Sequence, residues 1–230
     1  MKRLLLPICF FFCGIGIRGQ IPQVSPCAIH YLHRCDLDGY RILWNHWRSN
    51  SFTEQEDSLD RELEMANDRV YLDFYSVEDS WYIAGKVDTV YSTNIDSRNE
   101  ERFVADGDPE TSWVDNSKGG CAPRLIFTFS GLCPRITQIS IFNGYVKSKN
   151  SWEEYGRAKR IKLYFDNIPI AILSLENSRT YQQFKVDTLG YYDKEHGPWT
   201  LSFEILDVYP GSNTSRVAIS EITFDGIDYL

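Results

Sequence analysis

The sequence predicts an all-β protein, an antiparallel β-sandwich of jelly-roll type, and three observations predict it. From Val87 onward, eight short runs rich in Ile, Val, Phe and Tyr recur with turn residues between them. Several alternate apolar and polar residues, as in Ile136-Thr-Gln-Ile139-Ser-Ile141, which is the two-residue period of a half-buried strand. Aromatic residues make up 14% of the chain against two Met, a composition that suits a rigid sandwich core better than a pliable helical groove. No long helical insert separates the runs, which argues against parallel βαβ units.

The predicted strands are 87–92, 124–129, 136–144, 158–166, 168–175, 182–188, 199–209 and 217–226. Residues 85–230 therefore form one sandwich domain, with no linker or repeat to divide it. Ahead of it, residues 1–19 read as a secretory signal peptide. Lys2 and Arg3 precede a short apolar run that is interrupted by Pro7 and too short for a stable membrane anchor. Phe10, Phe11 and Phe12 precede Cys13 where a lipoprotein signal needs small residues. Residues 20–84 form an N-terminal extension. Its first part, to about Asn50, is aperiodic and reads as an irregular arm. Ser51 to about Val70 reads as one amphipathic helix, opened by the capping-box-like Thr53-Glu-Gln-Glu56. The Trp44-Asn-His46-Trp47 cluster reads either as a ligand platform or as aromatics fastening the arm to the sandwich.

Export sets the chemistry of the remaining cysteines. Cys27, Cys35, Cys121 and Cys133 survive removal of the leader, and an even number in an exported protein points to disulfides. Three pairings are possible, with the local Cys27–Cys35 and Cys121–Cys133 preferred. A structural zinc site competes, but no CxxC spacing supports it. Losing Lys2, Arg3 and Arg18 takes the net charge from −8 to −11. Such a surface repels phosphate backbones and anionic lipid heads, so nucleic acid and membrane-surface partners are not expected.

Two loops carry the chemistry. Asp106, Asp108 and Thr111 place hard oxygen donors in six residues, and Gly107 lets the backbone fold inward so that carbonyls face a cation. The same residues also suit a plain acidic β-turn in which Asp106 caps its own backbone. The second loop gathers Asn143, Tyr145, Lys147, Trp152, Tyr155 and Arg157, the most polar and aromatic stretch of the sandwich. Aromatic faces stack on sugar C–H groups while amide, ammonium and guanidinium donors reach hydroxyls. The plainer reading is a tight Asn-Gly turn with Tyr145 covering the sandwich end. No GxSxG, HExxH or Gly-rich phosphate loop occurs, and Glu153-Glu154 is a poor glycosidase pair, so no catalytic residue is assigned.

In order along the chain stand D-G-D-x-x-T-x-W at Asp106 to Trp113, N-G-Y at Asn143 to Tyr145, Arg157-Ala-Lys159-Arg-Ile161, V-Y-P-G at Val208 to Gly211, and I-S-E-I at Ile219 to Ile222. These motifs resemble the galactose-binding-like, discoidin-type sandwiches, closest to the NADase-type glycan-binding domain, over about residues 85–228. The resemblance implies a structural Ca²⁺ held by Asp106, Asp108, Thr111 and Glu221, linking an early loop to the last strand. Three stretches depart from the pattern: Lys118 to Arg124, Tyr155-Gly156 before the arginine, and Ser212 to Ala218. The scaffold therefore transfers better than any particular sugar specificity.

The expected function is a secreted, non-catalytic carbohydrate-binding module, in the periplasm or at the cell surface. Its partner would be a glycan. The alternative is a protein-interaction or assembly module binding a surface protein.

Overall fold

The computed structural model describes residues 20–31, 54, 87–93, 100–115, 123–214 and 216–227. The protein is an all-β sandwich. Its strands are β1 (Gln23–Val24), β2 (Ala28–Tyr31), β3 (Val87–Ser92), β4 (Trp113–Val114), β5 (Arg124–Phe129), β6 (Arg135–Asn143), β7 (Gly156–Phe165), β8 (Ile168–Ser174), β9 (Thr180–Leu189), β10 (Trp199–Tyr209) and β11 (Val217–Ile227). One layer runs β2-β9-β6-β11 with β4 on the edge of β11. The other runs β3-β5-β10-β7-β8 with β1 on the edge of β8. β11 joins the layers, pairing antiparallel with β6 from Glu221 onward and parallel with β7 at Val217 and Ala218.

Alternation explains the core. β5 buries Leu125, Phe127 and Phe129, and β10 buries Trp199, Leu201, Phe203 and Ile205. From the other layer, Ile139, Ile141, Phe184, Ile222 and Phe224 point back at them. The layers meet where the Phe224 ring stands edge-on to Phe127 and Phe129, both centroids 5.2 Å away. Phe129 stacks on Trp199 at 4.3 Å. Each such ring buries on the order of 150–250 Å².

The eight predicted strands all form, and Trp199–Tyr209 and Arg124–Phe129 match residue for residue. The arm differs from expectation. Within it β1 pairs parallel with β8 and β2 antiparallel with β9, so its start is built into both layers. Strands of two and four residues hold too little of the two-residue period to stand out in a sequence. The two parallel pairings also qualify the expected antiparallel order. The predicted helix over 51–70 lies outside the described residues, Glu54 apart. So do the signal segment, the Trp44–Trp47 cluster, Cys35 and Cys121. Cys27 Sγ donates to Gln183 O at 3.3 Å, and Cys133 is buried. Among the described residues no helix is long and apolar enough to cross a membrane.

Candidate functional site

Strand direction brings the signature motifs to one end. β6 runs toward Asn143 and β10 toward Tyr209. The acidic loop, the 144–155 loop, the 175–179 turn and the 210–216 loop therefore share that rim.

In the acidic loop a 3₁₀ turn (Glu100–Val104) leads into Asp106-Gly107-Asp108, with Gly107 at φ +73°, a conformation that favours glycine. β11 carries Glu221 directly beneath. Its Oε1 accepts from Gly107 N at 2.8 Å and from Asp108 N at 3.2 Å, and the residue is fully buried. Its Oε2 is buried with no hydrogen-bond partner. Burial pushes the Glu221 carboxyl well above the usual carboxylate range. The neighbouring Asp106 carboxylate adds to this, and the two backbone N–H groups oppose it.

The Thr111 hydroxyl shows the same excess of acceptors. Its Oγ1 lies 3.0 Å from both Asp106 oxygens, 2.9 Å from Asp108 O and 3.4 Å from Phe103 O. One proton cannot serve four acceptors. Asp108 acts here through its backbone. Its carboxylate is turned to accept from Glu110 N at 2.9 Å, an Asx-type turn. Among the described residues no three His, Cys, Asp or Glu side chains form a metal cluster. The oxygens gathered at this loop come from two carboxylates, a hydroxyl and carbonyls.

The second loop is organised differently. Asn143 continues the inward parity of Ile139 and Ile141 and is buried. Its Nδ2 donates to Ala158 O at 2.7 Å, and its Oδ1 accepts from Ala158 N at 2.9 Å, clamping β6 to β7. Gly144, at φ +95°, leaves the space that a Cβ would contest with Trp152 and Arg157, each 2.7 Å from that position. Ser148 then caps a short helix, α1 (Lys149–Glu154), in a reciprocal box with Ser151. Trp152 Nε1 donates to Asn143 O at 2.9 Å.

Arg157 lies under this helix. Its guanidinium carbon sits 4.4 Å from the Trp152 ring centre, Nη1 donates to Tyr155 O at 2.8 Å and Trp152 O at 3.2 Å, and Nε and Nη2 reach Asn177 Oδ1. Burial lowers its pKa and Glu153 raises it, yet an arginine keeps its proton in this setting. The structure thus places Asn143 and Arg157 inside the loop, where they hold its shape. Tyr145 and Tyr155 stand edge to face at 5.7 Å, Trp152 is half-buried, and Lys147 is exposed.

Residues not singled out from sequence complete the rim. Ser220 Oγ accepts from Val146 N at 3.1 Å, Arg179 Nε donates to Val146 O at 3.0 Å, and Asn177 anchors Arg157. Gly211 lets the Pro-Gly loop lie against Glu154 and Tyr155, where a Cβ would collide with backbone. Ser212 N then donates to Glu153 O at 2.8 Å, and Asn213 and Thr214 donate to Glu154 O, satisfying carbonyls at the end of α1. The Asn143 side chain had a legible signal, its parity with Ile139 and Ile141. The others come from segments far apart in sequence.

The family model described as NAD glycohydrolase translocation F5/8 type C domain matches residues 81–225. No curated protein matches the chain. Among solved structures, the CBM32-1, CBM32-2 and M60 catalytic domains of Clostridium perfringens ZmpB align with a TM-score of 0.46 at 14% identity, over 62% of this chain and 14% of that one. A family 32 module of C. perfringens NanJ, solved in complex with galactose, aligns at 0.42 and 13% identity, over 59% and 91%. A putative chitobiase fragment of Bacteroides thetaiotaomicron aligns at 0.43 and 14%, over 63% and 90%. The chain spans 14% of the length of the first of these structures and 34% of the ZmpB pair of CBM32 domains.

Proposed function

The chain belongs to the NAD glycohydrolase translocation F5/8 type C domain family, and from that premise we propose that it is an exported, non-catalytic carbohydrate-binding module. One observation carries the reading. Tyr145 and Tyr155 present an edge-to-face pair beside exposed Lys147, on a loop whose interior is tied together by Asn143, Trp152 and Arg157. Rigid aromatics with a neighbouring charged donor suit a sugar ring, because little side-chain entropy is lost on binding. Asn143 and Arg157 are positioning residues in this proposal, and Tyr145, Tyr155 and Lys147 touch ligand.

Calcium is part of the same proposal. The unpartnered Glu221 Oε2 and the over-subscribed Thr111 hydroxyl fit a cation with oxygen ligands. Asp106, Thr111 and Glu221 would hold it with side chains, and Phe103 and Asp108 with carbonyls. Bound there, it neutralises two neighbouring carboxylates and ties the acidic loop to β11.

A second reading, as a protein-interaction module, draws on the opposite end. There the 131–133 and 190–198 turns expose Leu132, Tyr191 and Tyr192, and Ile168 is exposed where β8 begins after the 166–167 turn. Asp193 N donates to Gly131 O at 2.8 Å, and Tyr191 Oη to Asp166 Oδ2 at 2.7 Å, joining the three turns. A glycan-array screen of the mature protein, in calcium and in chelator, separates the two readings. Binding that is lost in Tyr155→Ala but kept in Tyr192→Ala supports the carbohydrate reading. No binding to any glycan in calcium overturns it.

A further inference from the structure

Consecutive residues of β11 divide their bonds between the two loops of the rim. Ala218 O accepts from Gly144 N at 3.1 Å, and Ile219 forms a bridge with Gly144. Ser220 Oγ accepts from Val146 N at 3.1 Å. The next residue, Glu221, turns to the acidic loop and accepts from Gly107 N and Asp108 N. The acidic loop also runs on into β4, where Trp113 and Val114 pair with Ile219 and Ala218. Adjacent side chains on a strand point to opposite faces, so a pull on Glu221 from one side turns Ser220 on the other.

Ser220 sits where its sheet holds β11 least. The parallel ladder with β7 ends at Ala218, and the antiparallel ladder with β6 begins at Glu221. Among the described residues Ser220 has no register partner on either strand. It is fully buried all the same, and its hydroxyl is committed to Val146. A shift at Glu221 therefore reaches Ser220 before a ladder absorbs it.

What Ser220 holds is the backbone between the two residues proposed to touch sugar. Val146 is buried, with Tyr145 before it and Lys147 after it. Its N–H, in the peptide shared with Tyr145, is fixed by Ser220. Its carbonyl, in the peptide shared with Lys147, is fixed by Arg179 Nε at 3.0 Å and Nη2 at 2.6 Å. We propose that Ser220 is a positioning residue that passes occupancy of the acidic-loop cation site to the Tyr145–Lys147 segment. Sugar affinity then depends on a calcium ion that the sugar never touches. The inference rests on the calcium site and the sugar-facing loop of the reading above. Cation and sugar each raise the affinity for the other by the same factor, because such coupling is reciprocal.

The test uses calcium chloride alone as the probe, with backbone amide NMR on the full mature chain. Gly107 and Asp108 report the cation site, Val146 and Lys147 the coupled segment, and Ala158 the sandwich as a whole. In the parent chain the Gly107, Asp108, Val146 and Lys147 signals should shift with one common midpoint. Ser220→Ala should keep the response of Gly107 and Asp108 and lose that of Val146 and Lys147. Amide exchange adds a readout that needs no variant. Calcium should slow Val146 about tenfold more than Ala158, since the coupled segment opens locally. Shifts confined to Gly107 and Asp108, or equal slowing of Val146 and Ala158, would overturn the coupling and leave the cation site standing. A Val146 response that survives in Ser220→Ala would overturn the role of Ser220. Signals indifferent to calcium at every position would overturn the cation site and the coupling together. None of these readouts uses a sugar, so failure of the carbohydrate reading is seen separately, on the array.

Discussion

The two loops of the rim are built from similar polar residues and end in opposite electrostatic states. In the Asn143–Arg157 loop the buried side-chain donors meet acceptors in the loop or on the strand and turn beside it: the Asn143 amide bridges to Ala158, and the Arg157 guanidinium reaches two carbonyls and Asn177. In the Asp106–Thr111 loop acceptors outnumber donors. Glu221 Oε2 is buried without a partner, and one hydroxyl proton faces four oxygens. A self-satisfied loop is a scaffold for whatever lies on its outside. A loop short of positive charge calls for something to be added. The difference predicts that stability is intrinsic at the first loop and conditional at the second.

The largest effect should come from breaking the satisfied loop. Asn143→Ala strands Ala158 N–H and C=O in the interior, at about 1–3 kcal/mol for each unsatisfied group. That lowers Tm by roughly 5–15 °C for a domain of this size. Thermal melting followed by circular dichroism reads it, and calcium should not restore the loss. A variant that melts with the parent would mean the Asn143 clamp does not hold the loop.

The acidic loop should respond to conditions more than to truncation. Calcium at about a hundred times its Kd should stabilise by about 2.7 kcal/mol, raising Tm by roughly 5–10 °C. Glu221→Gln should abolish that rise. In chelator the pH dependence has a definite sign. Burial raises the Glu221 carboxyl above its unfolded value, so its contribution is fully present below the ordinary glutamate range and lost as pH rises through the folded value. Chelated wild type should therefore lose stability across that window, and Glu221→Gln should not. A Tm indifferent to calcium at neutral pH would remove the cation from the comparison, and matching pH profiles for the two proteins would remove the buried charge.

Legibility in the sequence followed how local each determinant is. β10 was readable because Trp199, Leu201, Phe203 and Ile205 alternate with the polar Thr200, Ser202 and Glu204. α1 was not, since its six residues bury nothing and its start depends on a Ser148–Ser151 box where the more familiar signal has glutamate at the fourth position. Glu221 was legible as a buried acid only through the motif that also names the Gly107–Asp108 loop, because its partners lie more than a hundred residues away. Asn143 suited a ligand by its chemistry and Arg157 by its charge. Both side chains are buried and hydrogen-bonded within the fold, and only the parity of Asn143 announces it. The Asp108 carboxylate likewise faces Glu110, a preference of the Asp-Pro-Glu turn that residue type alone does not specify.

The smallest effect on stability is the most direct probe of the outer surface. Lys147 is exposed and lies two residues beyond Tyr145, outside the hydrogen-bonded interior of its loop. Lys147→Ala should shift stability by less than about 0.5 kcal/mol, as surface changes away from caps and buried networks do. Affinity for a glycan identified on an array should nonetheless fall about tenfold or more, since a hydrogen bond from a charged donor contributes about 1.5–3 kcal/mol. Tyr155→Ala should act the same way on binding, with a somewhat larger thermal cost from its lost contact with Tyr145. Isothermal titration beside a melt separates the two quantities. If Lys147→Ala binds with parental affinity while Arg157→Lys does not, the ligand reaches past the outer face into the interior, and the division between scaffold and surface fails at this loop.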